Sequence, residues 1–471
     1  MEILHYNSAI NYCGFPTIRL QYSANTKIEK EISMENKAID RLKALGIGTP
    51  DILIPKKGTD LKKWAVVACD QYTSEPQYWE NAHAYVGDDP STLHLIYPEA
   101  YLEEKDPQAR IDGINATMAK YLDDQLFETY EESFFLVHRT TGEGTGRWGL
   151  VVALDLEHYD YSKDSRTHIR ATEGTILSRI PPRKQIRKDA PLELPHILVL
   201  ISDAQRSIIE PLIEKRNTLP QVYDTELMAG GGHLSAYRVS GAELEPVASA
   251  FEQLHAALDP ANPLLFAMGD GNHSLATAKA CWEDIKKGLD TEQMERHPAR
   301  YALVELENIF DPGLVFEPIH RVLFNLERTL FLKELSRHCT SYSLEPTASL
   351  AMIEKALEAK DGLQRFGYCD SEGLAIITVT EPESTIAAGT LQSVIDNLLS
   401  SGGKVAVDYI HGSDVTKTLG SKQGNIGLFL PSIDKETFFD TIIADGALPR
   451  KTFSMGEAHE KRFYMEARKI K

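Results

Sequence analysis

The chain has 471 residues, 42% hydrophobic and 25% charged, with a formal net charge of −19. That balance is globular and excludes a disordered chain, and the length exceeds one ordinary core, so two or three lobes are expected. The acidic surplus argues against a DNA-coating surface, which needs a basic stripe, but leaves a nucleotide pocket open, because that needs only a few local donors.

Residues 1–33 mix Asn, Tyr, Ser and Lys with no period. Met34 then opens MENKAIDRLKALGI, with Ala38, Ile39, Leu42 and Leu45 at helical spacing. Met34 is therefore the expected natural start, and residues 1–33 a non-native or disordered extension. Asp51–Pro55 reads as extended, and Trp64–Cys69 (WAVVAC) as a strand whose end delivers Asp70. Asp106–Leu126 reads as a helix; Phe134–Arg139 and Gly149–Leu156 read as strands paired across Thr141–Gly146. His158–Ala190 is polar and carries the main basic cluster, and Pro181-Pro182 is expected to break any helix there. His196–Ile201 reads as a buried strand, Leu244–Leu258 as a helix and Leu264–Met268 as an apolar run. Strands at Tyr301–Ile309 and Leu314–Glu317 precede helices near Leu326–Cys339 and Ser349–Ala359. Ile376–Val379, Val405–Ile410 and Gly427–Leu430 are further strands, and Phe453–Arg468 completes the chain.

The cysteines, Cys13, Cys69, Cys281, Cys339 and Cys369, are odd in number and form no C-x-x-C pair. They fit a reducing cytoplasm rather than a disulfide framework or a structural zinc site. No apolar run approaches the ~20 residues that span a bilayer, and no secretory signal pattern is present. A cytoplasmic location is expected.

The most informative local feature is Gly269-Asp270-Gly271-Asn272-His273-Ser274, between LLFAM and the amphipathic LATAKACWEDIKKGL. A buried strand feeding a glycine-flanked turn that opens a helix presents free N–H groups to an anion. Asp270 could hold a metal ion or a hydroxyl, His273 a phosphate or a proton, and Ser274 could donate from the first turn. The bland alternative is a helix capped by Asn272 or Ser274 with nothing bound. Five other clusters carry similar chemistry. His320-Arg321 after the strand-like LVFE suits an anion. Arg170, Glu173, Arg183 and their neighbours could fold over an anionic ligand, or form a solvated loop. Met228–Gly232 before His233 could be a hinge or a phosphate loop. Asp408 and His411 could form a carboxylate–imidazole pair, and Lys451 with Ser454 another anion site. No protease or esterase signature is present.

WAVVACDQYTSEPQYWE, STLHLIYPE, RATEGTILSRIPPR, ELPHILVLI, FAMGDGNHSLATAKA, FEPIHRVL, VDYIHG and LPRKTFSMGEAHEKRF, in that order, resemble the domain-of-unknown-function family numbered 1015 from about Met34 onward. The family's central turn, Asp-Gly-His-His-Arg, resembles the phosphate-binding turn of the ParB-like and sulfiredoxin-like fold, which includes the free serine kinases. Asp270, Gly271 and His273 match it, whereas Asn272 stands in place of a His and Ser274 in place of the Arg. That loss removes a fork-like phosphate donor, which Arg321, Lys451 or Arg183 is expected to replace.

The resemblance implies a mixed α/β fold of several lobes, with a ParB/sulfiredoxin-like nucleotide-binding core. The expected layout is a main domain over 34–325, a smaller lobe over 326–400, inserted or appended, and a segment over 401–471 returning to the main domain. The implied activity is an ATP- or ADP-dependent phosphotransferase on a small metabolite, serine by analogy, with Mg²⁺ at Asp270 and Asp70 as base for the acceptor hydroxyl. The phosphates would meet Gly269, Gly271, Asn272, Ser274, His320, Arg321, Arg183, Lys451 and Ser454. A ParB-like nucleotide switch with little turnover, and a phosphate-ester hydrolase, are the alternatives. Neither a membrane nor bulk nucleic acid is an expected partner, and a homo-oligomer stays open.

Overall fold

Period-2 alternation in the central strands sends successive side chains to opposite faces, and here both faces are apolar. Phe134, Leu136, Leu150, Val152 and Val304 fall in one hydrophobic cluster. Their neighbours Phe135, Val137, Val151 and Leu303 fall in a second. A sheet that is apolar on both sides must be covered on both. The computed structural model, which describes residues 35–141, 146–339, 341–401 and 404–471, shows how. Helices over 35–44, Leu244–Ala256 and Asn272–Ile285 cover one face. Pro76–Val86 and Pro107–Asp123 cover the other. The extension over 1–33 and most of the Thr141–Gly146 turn lie outside the described residues.

Among the described residues this first sheet has ten strands. Its path runs Gln221–Glu226, His233–Val239, Phe134–Thr140, Arg147–Asp155, Tyr301–Asn308, Leu198–Ile201, Phe266–Asp270, Ile169–Arg170 and Tyr159–Asp160. Ile47–Gly48 adds to the edge of Arg147–Asp155. Pairing is antiparallel except where Leu198–Ile201 meets Tyr301–Asn308 and where Ile169–Arg170 meets its two neighbours. A second sheet gathers Tyr342–Thr347, Gly373–Val379, Gln364–Asp370, Asn425–Phe429, Phe316–Phe324 and Ala406–His411. It packs against helices Arg328–His338 and Ala387–Ser400. The mixed α/β class expected from the sequence is the class observed.

The last residues stitch these parts together. Phe453–Met455 pairs with the start of Phe316–Phe324. Phe463–Tyr464 pairs with Val66–Val67, and Arg468–Lys469 with Leu192–Glu193.

Three local expectations need correction. Trp64 ends a short helix, Leu61–Trp64, capped by the Asp60 carboxylate, so the strand before Asp70 is only Val66–Val67. Pro181 and Pro182 do not break a helix; they lie in the first turn of Ile180–Arg187, where a missing N–H costs nothing. The strand expected at Leu314–Glu317 instead runs Phe316–Phe324, straight through His320 and Arg321, because Val322, Leu323 and Phe324 extend its β-favouring run.

Candidate functional site

The site begins where Phe266–Asp270 leaves the core. Phe266, Ala267 and Met268 are buried, and Gly269 and Asp270 emerge. The pairing with Leu198–Ile201 shifts register between Leu198 and Val199, a bulge at the strand's functional end. At Gly269 an added Cβ would meet Met455 Sδ at 2.8 Å, so the Met455 side chain would have to shift. Gly271 has φ 79° and ψ 26°, the left-handed region, and an added Cβ would lie 3.1 Å from Ile197 Cα. Gly271→Ala is expected to cost about 1–2 kcal/mol from conformation alone, read as a lower Tm; an unchanged Tm would contradict this turn geometry.

Gly271 is the N-cap of the site helix Asn272–Ile285, and no side chain caps it. The bland alternative, in which Asn272 or Ser274 caps the helix, is therefore not realised. The first helical N–H groups lack intrahelical acceptors, and Gly271, Asn272, His273 and Ser274 all line one cavity of about 1060 Å³. The Asn272 Oδ1 atom there is buried without a hydrogen-bond partner.

The cavity draws its charges from distant parts of the chain. Arg179, Arg183, Arg187, Arg450, Lys451 and Lys461 line it with Asp70, Glu99, Glu173, Glu193, Asp270 and Glu457. Several of these pair off: Lys461 Nζ lies 3.0 Å from Asp270 Oδ2. Arg183 bonds Glu99, and Arg187 bonds Glu193. Arg179, Arg450 and Lys451 line the cavity with no ion-pair partner among the described residues.

Two acid–base groups stand out. Thr172 Oγ1 donates to Met268 O at 2.7 Å, and Leu448 N–H to Thr172 O at 2.7 Å, which sets Glu173 beside the end of the site strand. Burial pushes the Glu173 carboxyl up to about 7, against the pull of Lys451 and with help from the Asp270 charge. Asp70 behaves oppositely. Burial would raise it, but the His196 charge and bonds from His196 and Gln71 hold it well below the usual carboxylate range. His196 Nε2 lies 3.6 Å from Asp70 Oδ2, and its Nδ1 is 2.8 Å from the Tyr464 hydroxyl, which also accepts Cys69 N–H at 3.2 Å. Burial disfavours the His196 charge, but Asp70 outweighs it and raises the imidazole's pKa.

His273 Nε2 accepts Ile176 N–H at 3.2 Å and so ties the segment carrying Glu173 to the site helix. Burial, then Arg183 and Arg179, hold its pKa down to about 4, so the ring is neutral at pH 7.

Of the residues singled out from sequence, the cavity brings together Asp70, Glu173, Arg183, Gly269–Ser274, His411, Lys451 and Ser454. Others lie elsewhere. His320 is buried in the second sheet, its two ring nitrogens occupied by Leu430 N–H at 3.1 Å and the Ser413 hydroxyl at 3.3 Å. Arg321 stacks 4.5 Å from the Tyr409 ring, behind the cavity wall. Arg170 donates to Thr167 O, Asn262 Oδ1 and Pro263 O, bracing the strand beside the site strand. His233 pairs with Asp224. Asp408 and His411 do not pair: three apart on a strand, they face opposite sides, and only Tyr409 and His411 reach the cavity. Sequence reasoning missed His196, Lys461 and Tyr464, whereas Arg179 and Arg450 belong to the two basic clusters it does single out. HILVLI held the one available signal, a histidine opening a buried strand.

Over residues 53–398 the sequence matches the family described as Protein of unknown function (DUF1015). The chain belongs to this family. No significant match is found among curated proteins. Solved structures similar to this DUF1015 chain are distant. A conserved hypothetical protein from Pyrococcus furiosus is 9% identical, with TM-score 0.33, covering 64% of this chain and 89% of its own. A free serine kinase mutant in complex with ADP is 9% identical, with TM-score 0.35, covering 64% of this chain and 86% of its own. A C-terminally truncated SbnI from Staphylococcus aureus is 9% identical, with TM-score 0.33, covering 64% and 81%. Likeness at this level carries no inference about activity. No helix among the described residues is long and apolar enough to cross a membrane.

Proposed function

We propose that this cavity binds a nucleotide by its phosphates and transfers a phosphoryl group to the hydroxyl of a small metabolite. The observation that carries the reading is the uncapped N-terminus of the site helix, opening into a cavity that also holds the unpaired Arg179, Arg450 and Lys451. Backbone N–H groups, a helix dipole and exposed cations together match a polyphosphate. Arg179 and Arg450 supply the fork-like donor that Ser274 lacks.

Glu173 is the base. A general base works best with a pKa near the operating pH, and Glu173 sits at about 7. It takes the acceptor's hydroxyl proton. The oxygen bonds to the terminal phosphorus as the bridging P–O bond breaks, and the nucleotide leaves with that electron pair. Asp70, held ionised by His196, is a poor base and instead holds the imidazole at the cavity wall. His273 is a positioning residue for the Glu173 segment.

The residues present fit Mg²⁺ only in part. Among the described residues no group of three or more His, Cys, Asp or Glu could hold a metal ion. Asp270 offers one carboxylate, and it is paired with Lys461. Mg²⁺ often takes one or two carboxylates and completes its shell with phosphates and water, so Asp270 would hold it only alongside nucleotide, where it would neutralise phosphate charge. ADP at 100 times its Kd is expected to stabilise the protein by about 2.7 kcal/mol. The Mg²⁺-dependent part of that thermal shift should vanish in Asp270→Asn; a Mg²⁺ effect kept in the variant would remove Asp270 from this role. Nucleotide consumed only when a hydroxyl acceptor is added would support the transferase. Binding without turnover would indicate a switch, and phosphate release to water a hydrolase.

A further inference from the structure

One stretch of the cavity wall has no place in phosphate chemistry. Leu95, Ile96, Leu102, Met118, Ile186 and Leu192 line it. They come from separate segments, yet all lie in or against a single hydrophobic cluster. The Leu192–Ile197 stretch joins this wall to the phosphate turn. Leu192 and Leu194 line the cavity, and Ile197 packs beneath Gly271. Five residues span at most about 18 Å when extended, so one small molecule can touch both.

Only Leu102 and Ile186 are partly exposed there, over the buried Leu95, Ile96, Met118 and Leu192; aliphatic carbon left facing water in a cleft is unfavourable until a ligand brings carbon to it. A nucleobase is a poor occupant, because its polar edge needs donors and acceptors. The Tyr97 hydroxyl beside this wall is already bonded to Glu104 Oε1 at 2.6 Å. The charged pair Arg183–Glu99, also on the wall, satisfies itself.

We infer that the substrate of this cavity is amphiphilic: a phosphate ester, or the alcohol that becomes one, carrying an aliphatic chain. Its phosphate sits on the Gly271–Ser274 turn and its chain lies along the Leu95–Leu192 wall. The inference rests on the phosphate-binding reading of that turn. It departs from a serine-like acceptor, which would leave Leu102 and Ile186 facing water.

Calorimetric titration with methyl, propyl, butyl and hexyl phosphate, with 1-hexanol alongside, tests it. Affinity is expected to rise about fourfold per added methylene. The half-buried Ile186, replaced in Ile186→Ser, should flatten that rise while leaving methyl phosphate binding intact. Leu102→Ser should do the same, which guards against one variant failing to fold. A flat series with measurable methyl phosphate binding overturns the aliphatic chain and leaves the phosphate turn standing. Hexanol binding as tightly as hexyl phosphate supports the apolar wall and removes the phosphate reading. A rise unchanged in both variants overturns the placement of the chain, and no binding by any probe overturns both readings.

Discussion

Glu173→Gln is expected to lower nucleotide turnover by about 10²–10⁴-fold, the usual contribution of a positioned base, while ADP still binds. The amide keeps the carboxyl's shape but cannot take a proton. The pH profile sharpens the test. Glu173 must be ionised to act, and burial holds its pKa up to about 7. Wild-type kcat/KM should therefore fall on the acid side with an apparent pKa near 7, and the variant's residual activity should lose that limb. Stability carries the opposite sign. The folded value lies above the ordinary 4.5, so this group's stabilising contribution is full below pH 4.5 and is lost as pH rises through about 7. Full activity in Glu173→Gln would move the base elsewhere.

Arg462→Met is expected to destabilise the fold by about 3–5 kcal/mol, the cost of breaking a buried ion pair by removing one partner. Arg462 is 6% exposed. Its Nη2 meets Glu466 Oε2 at 2.8 Å, its Nη1 donates to Pro195 O at 2.8 Å, and its Nε bonds Glu305. Glu466 also accepts the Tyr223 hydroxyl. Removing the guanidinium strands two buried carboxylates beneath the cavity. Because Lys461 and Tyr464 flank Arg462 and reach into the cavity, ligand affinity should fall with stability. Chemical denaturation checks the first and calorimetry the second. A loss under about 1 kcal/mol, typical of an exposed pair, would contradict a stitching role for this segment.

What could be read from sequence follows the range of the interaction. The strand–turn–helix at Phe266–Ile285 rests on local rules, apolar runs and glycine at a left-handed position, and it stands as expected. The segments near Glu173 and Lys451 were legible as clusters of charge, though not as neighbours of that turn. The pairings were illegible because they are long-range: Lys461 reaches Asp270, and Tyr464 reaches His196, only through the C-terminal strand that pairs with Val66–Val67. Two misreadings had local causes. Pro181-Pro182 reads as a breaker by composition, but its place in the first turn makes it a starter. His320-Arg321 reads as following a strand that in fact continues through it, so His320 bonds within the second sheet and Arg321 stacks on Tyr409 instead of lining the cavity.

The most direct test of the phosphate site is calorimetric titration of ADP into the wild type and an Arg450→Ala/Lys451→Ala double variant. Both residues are exposed, so the fold should survive. Each charge-assisted hydrogen bond contributes about 1.5–3 kcal/mol, so the variant should bind at least about tenfold more weakly. Equal affinity in the two proteins, or no binding by the wild type, would contradict a nucleotide phosphate held at the Gly271–Ser274 turn.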